Sequence, residues 1–365
     1  MDGFSLFFAK KSESVDKNSF TFLFFLNFTG TQIFIVTGAN GFLGNNIIRQ
    51  LEQNPENEIR ALVLPNDKVH SLEGLRCQIY YGDVTKKETL QEIFSNLEDR
   101  ELFVIHCAAI VYIKSKYNPM VYEVNVNGTK NVIDLVLESS AKMVYVSSVH
   151  ALPEKPNREV ITEITDFDPE KVKGEYAKTK AETAAYVLKM VKEKNLNACI
   201  VHPSGIIGPY DFGRSHLTQL MIDFANGRLK ACVNGGYDFV DVRDVADGVI
   251  RACDLGRPGE CYILSNRYVP VKELLDTVSE VRHTKKIRTV LPMWLAKLTA
   301  PLSEIYYAIL KQPPLYTRYS LYTLTSNSNF SNEKAKRELG YQNRDFHQTI
   351  ADTIAWLEEH HRIRS

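Results

Sequence analysis

Ile33-Phe34-Ile35-Val36-Thr37-Gly38-Ala39-Asn40-Gly41-Phe42-Leu43-Gly44 decides the reading of this chain. Four apolar residues in a row suit a short strand buried on both faces, and Ile47, Ile48 and Leu51 then recur at helical spacing. Between strand and helix stand three glycines in the order GxxGxxG. In that setting one glycine permits a tight turn, the next lets backbone approach a pyrophosphate, and the last lets helix and strand pack closely. The helix N-terminus offers free N–H groups and a positive dipole to an anion. The stretch therefore opens a βαβ unit, and its turn is expected to cradle a dinucleotide through Gly38, Asn40, Gly41, Phe42, Leu43 and Gly44.

Outward from this loop the alternation continues. Apolar runs predict strands over 59–64, 78–81, 102–107, 142–146 and 198–202. Helical patterns fill 89–97, 125–137 and 176–192. Strands at this spacing with helices between them give an α/β fold built on a doubly wound parallel sheet. After Pro203 the pattern loosens, and Pro292, Pro301, Pro313 and Pro314 interrupt a Leu- and Tyr-rich stretch. Helical spacing returns over 333–339 and 346–360. The expected organisation is a leader at 1–31, a nucleotide-binding domain at 32–202, and a mainly substrate-binding region at 203–365 that sends elements back to the sheet.

The chain has 365 residues, enough for about two domains at roughly 150 residues each. Its 44% apolar and 24% charged content is an ordinary soluble balance and excludes global disorder and a multi-span membrane protein. Lys and Arg (44) equal Asp and Glu (44), so there is no basic excess to suggest nucleic acid. Cys77, Cys107, Cys199, Cys232, Cys253 and Cys261 form no CxxC pair. They read as small hydrophobes in a reducing, cytoplasmic setting, with neither disulfide framework nor metal site. Eight of the 18 Phe residues fall within residues 1–30. The Phe20–Phe28 run is too short to span a bilayer and lacks the marks of a signal peptide. It is expected to be a disordered leader, with an edge strand or a weak membrane-surface anchor as the alternatives.

Tyr176 and Lys180 lie four apart on a predicted helix and so share a face. A phenol is a poor acid–base catalyst at its free pKa of about 10. A nearby ammonium favours the phenolate, and it can also hold a cofactor ribose. Ser148, at the carboxyl end of the fifth strand, is placed to orient a substrate carbonyl, because open α/β sheets bind ligands at strand carboxyl ends. Asp83, after the third strand, suits an adenine edge or a helix N-terminus. Cofactor choice rests on the end of the second strand. Leu64 holds the discriminating place and decides nothing. Asp67 argues for NAD, whereas Arg60 and Lys68 argue for NADP, and the balance leans slightly to NADP.

With these residues in hand, the chain resembles the extended short-chain dehydrogenases/reductases of the NAD-dependent epimerase/dehydratase superfamily. It is most similar to their dihydroflavonol 4-reductase and 3β-hydroxysteroid dehydrogenase-like branch. The resemblance rests on Thr37–Gly44, Gly82-Asp83-Val84, His106-Cys107-Ala108-Ala109, Asn125-Val126-Asn127-Gly128-Thr129, Ser147-Ser148, Tyr176–Lys180, His202–Pro209 and Phe239–Val245, in the family's order over roughly residues 32 to 360. It implies a Rossmann domain followed by a smaller C-terminal substrate-binding domain. It also implies Ser148, Tyr176 and Lys180 as catalytic residues. Asp83, Val84, Ala108, Ala109, Tyr176 and Lys180 would lie against the cofactor, and Pro203, Gly205 and Ile206 would flank the nicotinamide. Ser148 is followed by Val149-His150-Ala151, without the Asp-Glu pair of the 4,6-dehydratases and without the Val-Tyr-Gly of many sugar epimerases.

The expected activity is interconversion of a ketone and a secondary alcohol on a small, apolar molecule by hydride transfer. A nucleotide-sugar epimerase and a non-catalytic NADPH sensor are the alternatives. The expected partner is a small-molecule substrate, with no nucleic acid and no stable membrane insertion, and the resemblance allows a homodimer. His150 reads as an incidental loop residue, with substrate contact as the alternative. Arg243 and Asp244 suit either a substrate contact or a structural ion pair. Trp294, Leu295, Tyr306, Tyr307, Ile309 and Leu310 are expected to pack in the core. A substrate pocket or a membrane surface is the alternative for them.

Overall fold

The computed structural model describes residues 32–98, 100–112, 118–213, 215–298, 300 and 318–364. The expected leader and Tyr306, Tyr307, Ile309 and Leu310 lie outside the described residues.

Seven parallel strands form the central sheet: β1 (Ile33–Thr37), β2 (Glu58–Val63), β3 (Gln78–Tyr81), β4 (Leu102–His106), β5 (Lys142–Val146), β6 (Ala198–Pro203) and β10 (Cys261–Leu264). Their order is β10-β6-β5-β4-β1-β2-β3. The chain winds outward one way from β1 through β2 to β3, then crosses back to β4 and winds the other way. The switch point lies between β1 and β4, where Thr37 pairs with His106. Connections there diverge to opposite faces and leave a crevice at the strand carboxyl ends.

Helices cover both faces, so every residue of β1 is buried. Ile33 and Ile35 join one apolar cluster with Val132, Val136 and Val187, while Phe34 and Val36 join another with Ile47, Ile48 and Val249. This double burial is why the strand reads as an unbroken apolar run. Two small sheets complete the chain. β9 (Gly236–Asp241) pairs in parallel with β7 (Gly205–Ile207) and antiparallel with β11 (Arg267–Pro270), and β8 (Ala231–Val233) pairs in parallel with β12 (Thr289–Leu291).

Three expectations need correction. The helix expected over 89–97 is replaced by two 3₁₀ turns, Lys87–Leu90 and Glu92–Phe94. The carbonyls of Ile93 and Ser95, which a continuing helix would need, accept instead from the Arg60 guanidinium. The helix expected over 125–137 begins earlier. Pro119–Tyr122 is α-helical, Glu123–Gly128 widens to a π-helix, and Thr129–Ser139 returns to α. Trp294 is 67% exposed rather than packed in the core, because Ala296 and Ala300 take the inward face of its turn.

Candidate active site

β1 turns into the phosphate loop at Gly38, whose φ of +63° is strained for any side chain. A Cβ there would also lie 2.9 Å from the Ala108 amide nitrogen, and one at Gly44 would lie 2.2 Å from the Gly38 carbonyl oxygen. The helix Phe42–Leu51 starts at Gly41 with no side-chain cap and no acid in its first turn. Its leading N–H groups are therefore left for an anion, which is the fit a pyrophosphate requires. Asn40 straps this loop to the one after β2, donating to Asp67 Oδ2 (3.3 Å) and the Lys68 carbonyl (3.1 Å).

A buried hydrogen-bond chain joins both sides of the crevice. Thr129 donates to the Asn125 carbonyl (2.8 Å), so its hydroxyl accepts from His106 Nε2 (2.9 Å). His106 Nδ1 then accepts from the Thr37 hydroxyl (2.8 Å), which in turn accepts from the Ala108 amide (3.1 Å). Burial pushes the imidazole down to about 3, with the Lys180 charge adding to the effect. Asp83 caps the next turn through Oδ1, which accepts from the amide and hydroxyl of Thr85, and Oδ2 carries no hydrogen bond among the described residues. Val84 is buried against Gly128.

Tyr176 and Lys180 lie one turn apart at the start of the helix Glu175–Lys194, and both are buried. Burial pushes the Tyr176 phenol up to about 12, and the nearby Ser148 side chain opposes the shift. Lys180 donates to the Val146 carbonyl at the end of β5 (2.8 Å) and stands 4.9 Å from the Tyr145 ring centre. Burial pulls its ammonium down to about 8. The ammonium is engaged by backbone, and burial is the largest influence on the phenol. Ser148 caps the turn Val149–Ala151, its hydroxyl accepting from the His150 amide (3.2 Å) and its carbonyl from His202 Nδ1 (3.0 Å). Pro203 ends β6, and Gly205 and Ile206 pair with Phe239 and Val240 of β9.

A 170 Å³ cavity is lined by His150, Leu152, Ile161, Tyr237 and Phe330 together with the polar Lys173, Ser326 and Asn327. His150 stacks on Tyr237 at 5.7 Å and meets the Tyr176 ring edge-on at 6.1 Å. It is thus a built part of the wall rather than an incidental loop residue, and burial pushes its imidazole down to about 4. At the mouth the Lys173 ammonium lies 4.8 Å from the Tyr322 ring centre, and Tyr322 donates to Glu154.

Two candidate contacts go elsewhere. Arg60 is buried and spends its guanidinium on the carbonyls of Ile93 (2.8 Å), Ser95 (2.6 Å) and Asn96 (3.2 Å) and on Glu58 (2.7 Å). A ribose phosphate has no access to it. Arg243 pairs with Asp241 and Asp352, and Asp244 with Arg344, so both serve the fold.

Sequence reading gave no role to several residues that shape this site. Asn125, on the π-helix, holds both the Ile110 amide (2.8 Å) and carbonyl (3.1 Å) and donates to Thr179 (3.1 Å), locking the Tyr176 helix to the chain after β4. Its motif was visible; its partners were not. The buried carboxylate of Asp238 accepts from Ser204 and from the Asn266 amide, pinning the chain between Pro203 and Gly205. Phe330 reaches the cavity through a bridge to Ile161, a pairing with no local signal. Among the described residues no cluster of His, Cys, Asp and Glu could hold a metal ion, and no helix is long and apolar enough to cross a membrane.

Known proteins share this architecture. Residues 34–264 match the model of the NAD dependent epimerase/dehydratase family. Sterol demethylase protein B of Methylococcus capsulatus is 29% identical over 333 residues, covering 89% of this chain and 98% of that protein. 3β-Hydroxysteroid-dehydrogenase/decarboxylase isoform 1 of Arabidopsis thaliana is 28% identical over 84% of this chain and 75% of its own length. The crystal structure of gox2253 superposes with a TM-score of 0.78 at 31% identity, covering 91% of this chain and all of that one.

Proposed function

The chain belongs to the NAD-dependent epimerase/dehydratase family, among the extended short-chain dehydrogenases/reductases, and from that premise we propose that it interconverts a ketone and a secondary alcohol on an apolar, ring-bearing substrate. It is an NAD(P)-dependent oxidoreductase. When bound, the nicotinamide dinucleotide supplies or accepts the hydride.

The chain's residues divide the remaining work. Gly38 to Gly44, Asp83, Val84, Ala108 and Ala109 would hold the dinucleotide, with Pro203, Gly205 and Ile206 beside its nicotinamide. Tyr176 gives a proton to the substrate oxygen or takes one from it. Ser148, beside that phenol, steadies the same oxygen. Lys180 keeps a positive charge one turn away and opposes proton retention by Tyr176 as the oxygen is released.

A single observation carries this reading: His150, whose ring meets that of Tyr176 edge-on, lines a cavity with Tyr237 and Phe330 whose one carboxylate among the described lining residues, Glu154, is held by Tyr322. Dehydration of a sugar needs an acid and a base beside the serine, and this site has aromatic rings there instead. A cavity of about 150 Å³ holds one benzene-sized ring, so this one admits a single ring of a substrate. The names of the sterol and hydroxysteroid relatives support a fused-ring alcohol or ketone. With Arg60 withdrawn, Asp67 stands at the edge of the phosphate loop. A carboxylate there accepts from a ribose 2′-hydroxyl and repels a 2′-phosphate, which favours NAD.

The test is a spectrophotometric screen of ring ketones and alcohols with each dinucleotide, for the native chain and for Tyr176→Phe. The variant is expected to lose about a thousandfold in turnover while its dissociation constant for NAD is unchanged. Equal turnover in the two proteins refutes the assignment. Epimerisation of a nucleotide sugar without net cofactor consumption would replace it.

A further inference from the structure

We propose that the face formed by Lys230, Lys285, Arg288 and the helical turn of Trp294 and Leu298 docks on an anionic phospholipid bilayer.

The cations come first. Lys230, Lys285 and Arg288 line one open groove. The parallel pairing of Thr289 with Ala231 sets Arg288 beside Lys230. Asp223, Glu280 and Glu358 lie nearby, but each already faces its own cation in Arg228, Lys286 and Arg282. Among the described residues no carboxylate pairs with Lys230, Lys285, Arg288 or Lys297, and all four are exposed. The chain as a whole carries no net charge, so this is a local excess. Like charges held side by side without counter-charges favour an anionic partner.

The apolar groups are a separate observation. Val290, Trp294 and Leu298, three of the large hydrophobic residues exposed on the described surface, fall within nine residues of one another. Trp294 and Leu298, 67% and 68% exposed, stand four apart on one helical face. The opposite face is seated: Met293, Ala296 and Ala300 pack on Leu321. This element turns small residues inward and its largest apolar groups outward, with the exposed Lys297 between them. Basic side chains interleaved with Trp and Leu match the interface of an anionic membrane, where rings enter the headgroup layer and cations meet lipid phosphates. A nucleic acid or an acidic protein would use the charges but leave Leu298 and Val290 in water.

The docked face adjoins the cavity. Leu321, on which the helical turn packs, immediately precedes Tyr322 at the cavity mouth. A bilayer on this face would deliver an apolar ring substrate from lipid to Tyr176. That last step rests on the proposed function; the docking itself does not.

The full chain is sedimented with vesicles of phosphatidylcholine alone and of phosphatidylcholine mixed with phosphatidylglycerol. Trp294 also serves as a probe, because the other tryptophan of the chain, Trp356, is buried. Expected are binding to the anionic vesicles only, release by salt, and a blue shift of tryptophan emission that is lost in Trp294→Ala. Each basic side chain at such a surface is worth about fivefold in affinity. Lys230→Glu with Lys285→Glu and Arg288→Glu is therefore expected to weaken vesicle binding at least about a hundredfold, with unchanged turnover of a water-soluble ketone. Two results overturn the proposal: no partition of the folded, active chain to anionic vesicles, or equal binding to heparin without a blue shift, which would make the face a general polyanion site. Loss of turnover on the soluble ketone bears on the proposed function alone.

Discussion

The Thr37 hydroxyl donates to His106 Nδ1 across 2.8 Å, tying the last residues of β1 and β4 together at the switch point of the sheet. The direction follows from the partners. Thr129 has one proton and gives it to the Asn125 carbonyl, so His106 Nε2 must be the donor to Thr129 and Nδ1 the acceptor from Thr37. Thr37 is then free to accept from Ala108, the residue against which Gly38 packs. His106→Phe takes one of the two partners from each of the buried Thr37 and Thr129 hydroxyls, at about 1–3 kcal/mol each. Differential scanning fluorimetry is expected to show a clear loss of Tm. Titration with NAD should show weakening of about tenfold or more, because Ala108 and the phosphate loop lose their common anchor.

His106 and His202 are buried and His150 half-buried, and all three imidazoles are pushed down, His106 to about 3 and the others to about 4. A histidine depressed by burial stabilises the fold fully above its unfolded value of about 6.5. That stabilisation is lost as pH falls through the folded value, because the unfolded chain binds the proton first. Asp238 works in the opposite sense. Burial raises it to about 6, so the folded state takes up a proton that the unfolded chain declines until about pH 4. Urea unfolding is expected to show stability falling from pH 6.5 toward 4. Asp238→Asn should steepen that fall by about 1.4 kcal/mol per pH unit. An unchanged slope in the variant would show that Asp238 is ionised in the fold.

Much of the frame was legible because it is encoded locally. The apolar run from Ile33 to Val36, the three glycines and the Tyr176–Lys180 spacing each announce a strand, a turn or a shared helix face within a few residues. What escaped depends on partners far away in the chain. Arg60 looked like a cofactor ligand because it lies in β2, the strand whose carboxyl end meets the ribose. Only the fold shows it capping the carbonyls of Ile93, Ser95 and Asn96, and the same contacts break the helix expected there. His150 looked incidental until Tyr237, 87 positions away, was seen stacked on it. The π-widening around Asn125 was equally hidden, since it answers to Ile110 and Thr179 rather than to its own neighbours.

On the proposed function, Lys180 is expected to set the alkaline limit of the reaction. Its ammonium is pulled to about 8 by burial, and the phenol it serves stands at about 12. Carbonyl reduction needs the charged lysine and the neutral phenol together. The kcat/KM for reduction is expected to stay level below pH 8 and to fall above it with the slope of one proton. In Lys180→Arg the guanidinium keeps its charge throughout the range, so turnover drops through poorer fit but the alkaline fall disappears. Persistence of the fall at the same pH in that variant would assign it to another group.

Cofactor preference and stability should separate cleanly between Arg60 and Asp67. Arg60 is a buried cation with four hydrogen bonds, one to Glu58 and three to carbonyls. Removing it leaves Glu58 with only Arg100 and frees three acceptors in a desolvated pocket. Arg60→Ala is therefore expected to cost about 3–5 kcal/mol of stability while the ratio of NAD to NADP affinity stays constant in whatever fraction folds. Asp67 is exposed and contacts only the edge of the phosphate loop through Asn40. Asp67→Arg should leave the Tm within about a degree, since exposed substitutions change stability little, yet shift the affinity ratio toward NADP by about tenfold or more as a repelled 2′-phosphate becomes a paired one. Isothermal titration with both dinucleotides, beside a melting curve for each variant, reads the two effects independently. A changed ratio in Arg60→Ala, or an unmoved one in Asp67→Arg, would return the discriminating role to another residue of the loop after β2.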